Sequence, residues 1–155
     1  TSSWTTIALR LRKEMPDRPV VIIGAHNGSA GNELAKALRM HRDIIAYPAS
    51  SLFEIFALVE QARIVVAPDT GILHVAGIYG VPAIGLWGPT DPQYYGPWTT
   101  ALAIALQQRG PREFGYALAK LSPKAVFDAI LTACASTLDT AAPSPMHNKN
   151  IQMHH

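Results

Sequence analysis

The chain has one cysteine, Cys134, among its 155 residues. A single thiol excludes an intrachain disulfide framework and a cysteine-based zinc site. It stands in an apolar helical pattern and reads as a buried structural thiol, which fits a reducing, cytoplasmic setting. Charge is also scarce, at 15% of residues with a formal net charge of +2. The basic residues are scattered, and Arg10, Arg12 and Lys13 form the one tight group, the solvated face of a helix. Nucleic-acid binding needs a dense basic stripe, so no nucleic-acid partner is expected. No apolar run has the length of a membrane span, and no signal-peptide pattern is present. The carboxylates show no paired spacing that suggests a metal, and no internal repeat is visible.

What is present is apolar material, 48% of the residues, which excludes wholesale disorder. The length suits one domain with a real core. Apolar residues at Ile7, Leu11 and Met15 within Trp4 to Met15 have helical spacing. Short runs then alternate with helical patterns. Val20 to Ile23, Asp43 to Tyr47, Ile64 to Ala67, Val81 to Trp87 and Ala101 to Leu106 read as strands. Asn32 to Met40, a segment capped by Ser50 or Ser51, Gly71 to Tyr79 and Pro123 to Leu138 read as helices. Ser51-x-x-Glu54 is a capping box, with Leu52, Ile55, Phe56 and Val59 as the expected inner face. Gly80 stops the fourth helix. Ser122 caps the last, with Pro123 at its first position.

Alternating strands and helices predict an α/β, Rossmann-like three-layer domain with a parallel sheet and helices on both faces. The strands are apolar throughout, as sheets covered on both sides require. The domain is expected over residues 1–138, followed by a disordered tail over 139–155 that carries His147, His154 and His155. A first residue Thr1 inside a helix-like segment suggests a piece of something longer.

The chemistry concentrates in VVAPDTGILHVAG, Val65 to Gly77. As an aspartic protease turn, Asp69-Thr70-Gly71 would need a second copy to share a proton, hence a homodimer. Pro68 before it and a helical pattern after it are awkward for that reading. As a strand-to-helix turn, it lies where open α/β sheets bind ligands, beyond the carboxyl ends of strands. The amides near Thr70, Gly71 and Ile72 then lack intrahelical partners and form an anion site. Gly71 lets a phosphate approach the backbone. His74, four residues after Thr70, shares its helix face and can donate to a phosphate oxygen. A plain N-cap followed by an ordinary surface histidine is the structural alternative.

GPTDP, Gly88 to Pro92, follows a strand at the same sheet edge. Thr90 and Asp91 can offer a hydroxyl and a carboxylate to the same ligand, or form a simple turn. GAHNGSAGNE, Gly24 to Glu33, is glycine-rich but is neither a dinucleotide fingerprint nor a P-loop. Glu33 is either a ribose contact or a solvated helix carboxylate.

The ordered set SSL, VVAPDTGILHVAG and VPAIGLWGPTDP resembles the carboxyl-terminal half of the bacterial heptosyltransferases, glycosyltransferase family 9, which build the lipopolysaccharide inner core. The resemblance runs from about Trp4 to Trp98, and its specific part is D-T-G-x-x-H followed by G-P-T-D-P. It implies a GT-B architecture of two Rossmann-like domains facing across a cleft, of which this would be the second. That domain binds the nucleotide-sugar donor, usually ADP-heptose, as substrate and without a cofactor. By this resemblance Thr70 and Gly71 contact the diphosphate with His74 close by. Asp69 faces the donor sugar, Glu33 lies near the ribose and Ser50 near the base. Family members often carry a lysine shortly before the tryptophan matching Trp4, where Ser2 and Ser3 stand here.

The resemblance also implies an absent acceptor-binding first domain holding the general base, so no residue of this chain is assigned a catalytic role. The chain by itself would bind a nucleotide-sugar yet be incomplete as an enzyme, and its exposed cleft face would favour self-association. The full-length protein would act in the cytoplasm or at the inner membrane surface. The competing readings are a non-enzymatic nucleotide-binding or scaffold domain of this fold and, more remotely, the homodimeric protease.

Overall fold

The computed structural model describes residues 2–24, 30–48, 51–99, 101–107 and 120–136. Ser50 and the expected tail lie outside the described residues. Six helices and five strands alternate among them. In chain order these are α1 (Ser2–Glu14), β1 (Val20–Ile23), α2 (Ala30–Leu38), β2 (Ile44–Tyr47), α3 (Leu52–Glu60), β3 (Val65–Pro68), α4 (Gly71–Ile78), β4 (Ala83–Trp87), α5 (Pro92–Tyr95), β5 (Ala103–Gln107) and α6 (Pro123–Ser136). The short α5 was expected only as a turn.

All the strand pairs are parallel, in two hydrogen-bonded groups: β1 with β2, and β3-β4-β5 with β4 central. In the second group Pro68 lies opposite Leu86, and Trp87 opposite Gln107. The carboxyl ends of three strands therefore lie side by side. Pro68 fits its strand because of parity. Val65 and Asp69 donate their amides to Pro82 and Leu86. Pro68, of the other parity, faces the side of β3 on which no strand pairs among the described residues, so no ladder donor is required of it.

Strand β4 organises the core through its two faces. Ala83 and Trp87 pack with Val59 of α3 and Leu73 and Ala76 of α4. Ile84 and Leu86 pack on the opposite side with Ile7 of α1 and Val126 and Ile130 of α6. This is the three-layer arrangement expected from the apolar runs. Trp87, Phe127, Leu38, Leu73, Ile84 and Ile130 are nearly inaccessible, and each contributes about 1.5–3 kcal/mol by leaving water.

Helix α1 stitches the two groups of strands together. Its Ile7 enters the β4 cluster, whereas Ala8 packs with Leu34 and Leu38 of α2 over Val20, Ile22 and Ile44. The Arg10 guanidinium lies 4.0 Å from the centre of the Phe127 ring and ties α1 to α6. Arg63 donates to the carbonyl of Cys134 near the carboxyl end of α6, at 3.2 Å, a favoured position for a cation. Cys134 itself is half-buried at the margin of the core.

Two packing expectations fail. Leu52 is 65% exposed, although Ile55 and Val59 on the same face of α3 reach the core. Periodicity sets the face of a helix but not where the surface opposite it ends. The uniform apolarity of β1 and β2 also misleads, because Val21 and Ile45 are 39% and 45% exposed. That pair is covered on the α1–α2 face. By contrast, Ser51 caps α3 as read, its hydroxyl accepting from the Glu54 amide at 3.3 Å.

Gly80 ends α4 by geometry. Its φ is +68°, the left-handed conformation in which a side chain is costly. Its amide bonds to the Gly77 carbonyl at 3.2 Å, and Val81 bonds back to Ala76 at 2.9 Å. This is a Schellman closure. It turns the chain straight into β4 and so sets α4 against the sheet edge.

Candidate functional site

Asp69, Thr70 and Gly71 join the end of β3 to the start of α4. They form a strand-to-helix turn, which removes the protease reading of the triplet. Thr70 is the N-cap in extended conformation, but its side chain makes no cap bond. Its hydroxyl turns back to donate to the Pro68 carbonyl at 3.1 Å. The Leu73 amide closes onto the Thr70 carbonyl at 3.1 Å. Among the described residues, no hydrogen bond engages the amides of Gly71 and Ile72. These two donors, at the positive end of an apolar helix, are available to an anion.

A Cβ added to Gly71 would meet nothing within 4 Å. The fold therefore has room for a side chain here, and the glycine keeps space open above the free amides. His74 is exposed one turn further along α4, on the face of Thr70. Among the described residues it makes no hydrogen bond or ion pair.

The GPTDP loop closes against this turn. Thr90 donates its hydroxyl proton to Asp69 Oδ2 at 2.6 Å, the short distance typical of a bond to a carboxylate. The structure thus brings Asp69 and Thr90 together, and it engages the Thr90 proton within the protein. Asp91 has a structural job too: it caps α5, its Oδ1 accepting from the Gln93 amide at 2.9 Å. Glu33 does not join this group. It is exposed on α2 and pairs with Lys36 at 3.0 Å.

One residue escaped the sequence reading. Gln107 ends β5 beside Trp87, and its amide nitrogen donates to the carbonyls of Thr90 at 3.0 Å and Gly88 at 3.4 Å. The available signal was a polar side chain closing an apolar strand at the ligand-binding edge. Gly85 was also unremarked. A Cβ there would collide with the indole nitrogen of Trp87 and lie 3.1 Å from Leu73 Cδ1. The glycine lets the indole fold back along β4 just before the loop begins.

Beside the loop, a cavity of about 140 Å³ is lined by Gly85, Trp87, Pro92, Gly96, Ala103 and Ala105, among others. That is well below the roughly 300–1,000 Å³ of pockets that enclose small ligands. The candidate site lies outside this cavity, with Thr70, Gly71 and His74 exposed at the sheet edge. No group of three histidine, cysteine or acidic side chains is placed to hold a metal among the described residues. No helix among them is long and apolar enough to cross a membrane.

A parallel α/β layer structure with a helix amino terminus at its carboxyl edge defines the class: a Rossmann-like domain. Within it, the chain belongs to glycosyltransferase family 9, the heptosyltransferases, whose family model matches residues 4–117. Over 75 residues it is 32% identical to lipooligosaccharide heptosyltransferase 2 of Haemophilus influenzae, a match spanning 43% of this chain and 22% of that protein. The fold is similar to Escherichia coli heptosyltransferase WaaC, solved with ADP, with TM-score 0.65, 24% identity and 85% of this chain covered. It is also similar to Escherichia coli ADP-heptose lipopolysaccharide heptosyltransferase II, with TM-score 0.71, 21% identity and 88% covered. The chain spans 38% and 41% of those two proteins.

Proposed function

We propose that this chain is the donor-binding, carboxyl-terminal half of a family 9 heptosyltransferase, receiving the diphosphate of a nucleotide-sugar, ADP-heptose, at the start of α4. The observation that carries this reading is the pair of free amides at Gly71 and Ile72, with the Thr70 hydroxyl turned back to Pro68 and making no cap bond. In the whole enzyme, an acceptor hydroxyl would attack the anomeric carbon of the donor, and the nucleoside diphosphate would leave. Negative charge grows on the departing diphosphate. Amides already aimed at it stabilise that charge without reorganising. The exposed imidazole of His74 adds a donor on the same face. Asp69 keeps one carboxylate oxygen beyond its bond to Thr90, and that oxygen suits a hydroxyl of the sugar.

The exposure of Thr70, Gly71 and His74 supports a site whose other wall belongs to an acceptor-binding domain. The isolated chain is then expected to bind nucleotide but not to transfer the sugar. Calorimetric titration with ADP and with ADP-heptose tests the reading. We expect heat from both, and tighter binding of the donor than of ADP. Asp69→Ala and His74→Ala should weaken binding while leaving the melting temperature within a few degrees. Absence of both heat and thermal stabilisation with either ligand would refute the assignment. Binding of ADP with no preference for the sugar donor would instead favour a nucleotide-binding domain without transfer chemistry.

A further inference from the structure

We infer that Gln107 is a positioning residue for Asp69, acting through Thr90; the inference builds on the donor-site reading above. The Thr90 hydroxyl can reach Asp69, 21 residues away, only if the loop after β4 is held against the turn after β3. The sheet ladder holds Asp69 itself through its amide bond to Leu86, but β4 ends at Trp87, three residues short of Thr90. Within the loop, Asp91 is committed to capping α5. The Gln107 amide spans the loop from the other side, binding the carbonyl of Gly88 at 3.4 Å and of Thr90 itself at 3.0 Å. Its backbone is anchored opposite Trp87 at the end of β5.

A relay therefore crosses the carboxyl edge of the sheet from β5 through the loop after β4 to the turn after β3. Each link has one chemical sense. The Gln107 amide donates to the Thr90 carbonyl, and the Thr90 hydroxyl donates to Asp69 Oδ2. With that oxygen occupied, the carboxylate is held in one orientation, and its second oxygen is free for the ligand. Gln107 touches no ligand in this scheme. It determines where the Asp69 carboxylate points.

The test uses two readouts on this chain. The first is the carbon-13 resonance of the Asp69 carboxyl group in ligand-free protein. Thr90→Val, which removes the hydroxyl at nearly constant shape, should move it, and Thr90→Ser should not. Gln107→Met, which keeps length but loses both donors, should move it in the direction of Thr90→Val and add nothing to that variant. If Gln107→Met does not fold, Gln107→Leu removes the same donors without adding charge. The second readout is ADP-heptose affinity, expected to fall about fivefold to tenfold in Gln107→Met and no further in the double variant. An Asp69 resonance that responds to Thr90→Val but not to the Gln107 variants overturns the relay, as do additive losses of affinity. If the resonances behave as expected but the unmodified chain does not bind ADP, the relay stands and the donor-site reading falls.

Discussion

Gly71→Ala separates the needs of the fold from those of the proposed ligand. In the structure, a Cβ at Gly71 meets nothing within 4 Å, and its φ is not in the left-handed range. The substitution therefore introduces no clash. Alanine is favoured over glycine by about 1 kcal/mol inside a helix, and this first-turn position should realise at most that. The melting temperature should stay constant or rise by about 3 °C. Binding should respond oppositely. A methyl group above the Gly71 and Ile72 amides holds a phosphate away from them, and a hydrogen bond to a charged group contributes about 1.5–3 kcal/mol. Losing one such bond lowers ADP affinity about tenfold to a hundredfold. Thermal denaturation and calorimetric titration of the same preparation measure both quantities. Unchanged affinity in the alanine variant would show that no phosphate sits on these amides. A large drop in melting temperature would show that the glycine serves the fold after all.

Other substitutions test the scaffold beneath the site. Ile130→Ala on α6 empties a nearly inaccessible position and should cost about 2–5 kcal/mol in urea unfolding; a loss below about 1 kcal/mol would contradict the packing of α6 on β4. Gly85→Ala forces the Trp87 indole off the strand, at about 1–3 kcal/mol. Because Trp87 precedes the loop, its fluorescence and the ADP affinity should change together, and an unaltered tryptophan signal would count against this packing. Breaking the exposed Arg12–Asp43 pair with Asp43→Asn should change stability by less than about 1 kcal/mol, a control read by the same urea titration.

The alternation of strands and helices was legible because each apolar run is bounded by its own local punctuation. Gly80 closes α4 through a conformation that glycine adopts freely, and Ser51 caps α3 through a bond three residues long. The motifs from Asp69 to His74 and from Gly88 to Pro92 were enough to suggest family 9, and the family match over residues 4–117 agrees. Burial was read less well. Leu52, Val21 and Ile45 are apolar by composition yet exposed, since exposure depends on where the neighbouring layer stops.

Chain-local chemistry by itself determined that Asp69, Thr70 and Gly71 would form a turn between a strand and a helix, with Gly71 leaving its amide accessible. Those properties depend on backbone conformation and on residues within one helical turn. Tertiary structure decided what the turn meets. Only the β3-β4-β5 order brings Thr90 to Asp69 and Gln107 to Thr90. It converts Thr90 from a free hydroxyl into a fixed donor. The physical reason is that a hydrogen bond depends on distance and direction, and only the packed sheet sets either one between residues so far apart in the chain.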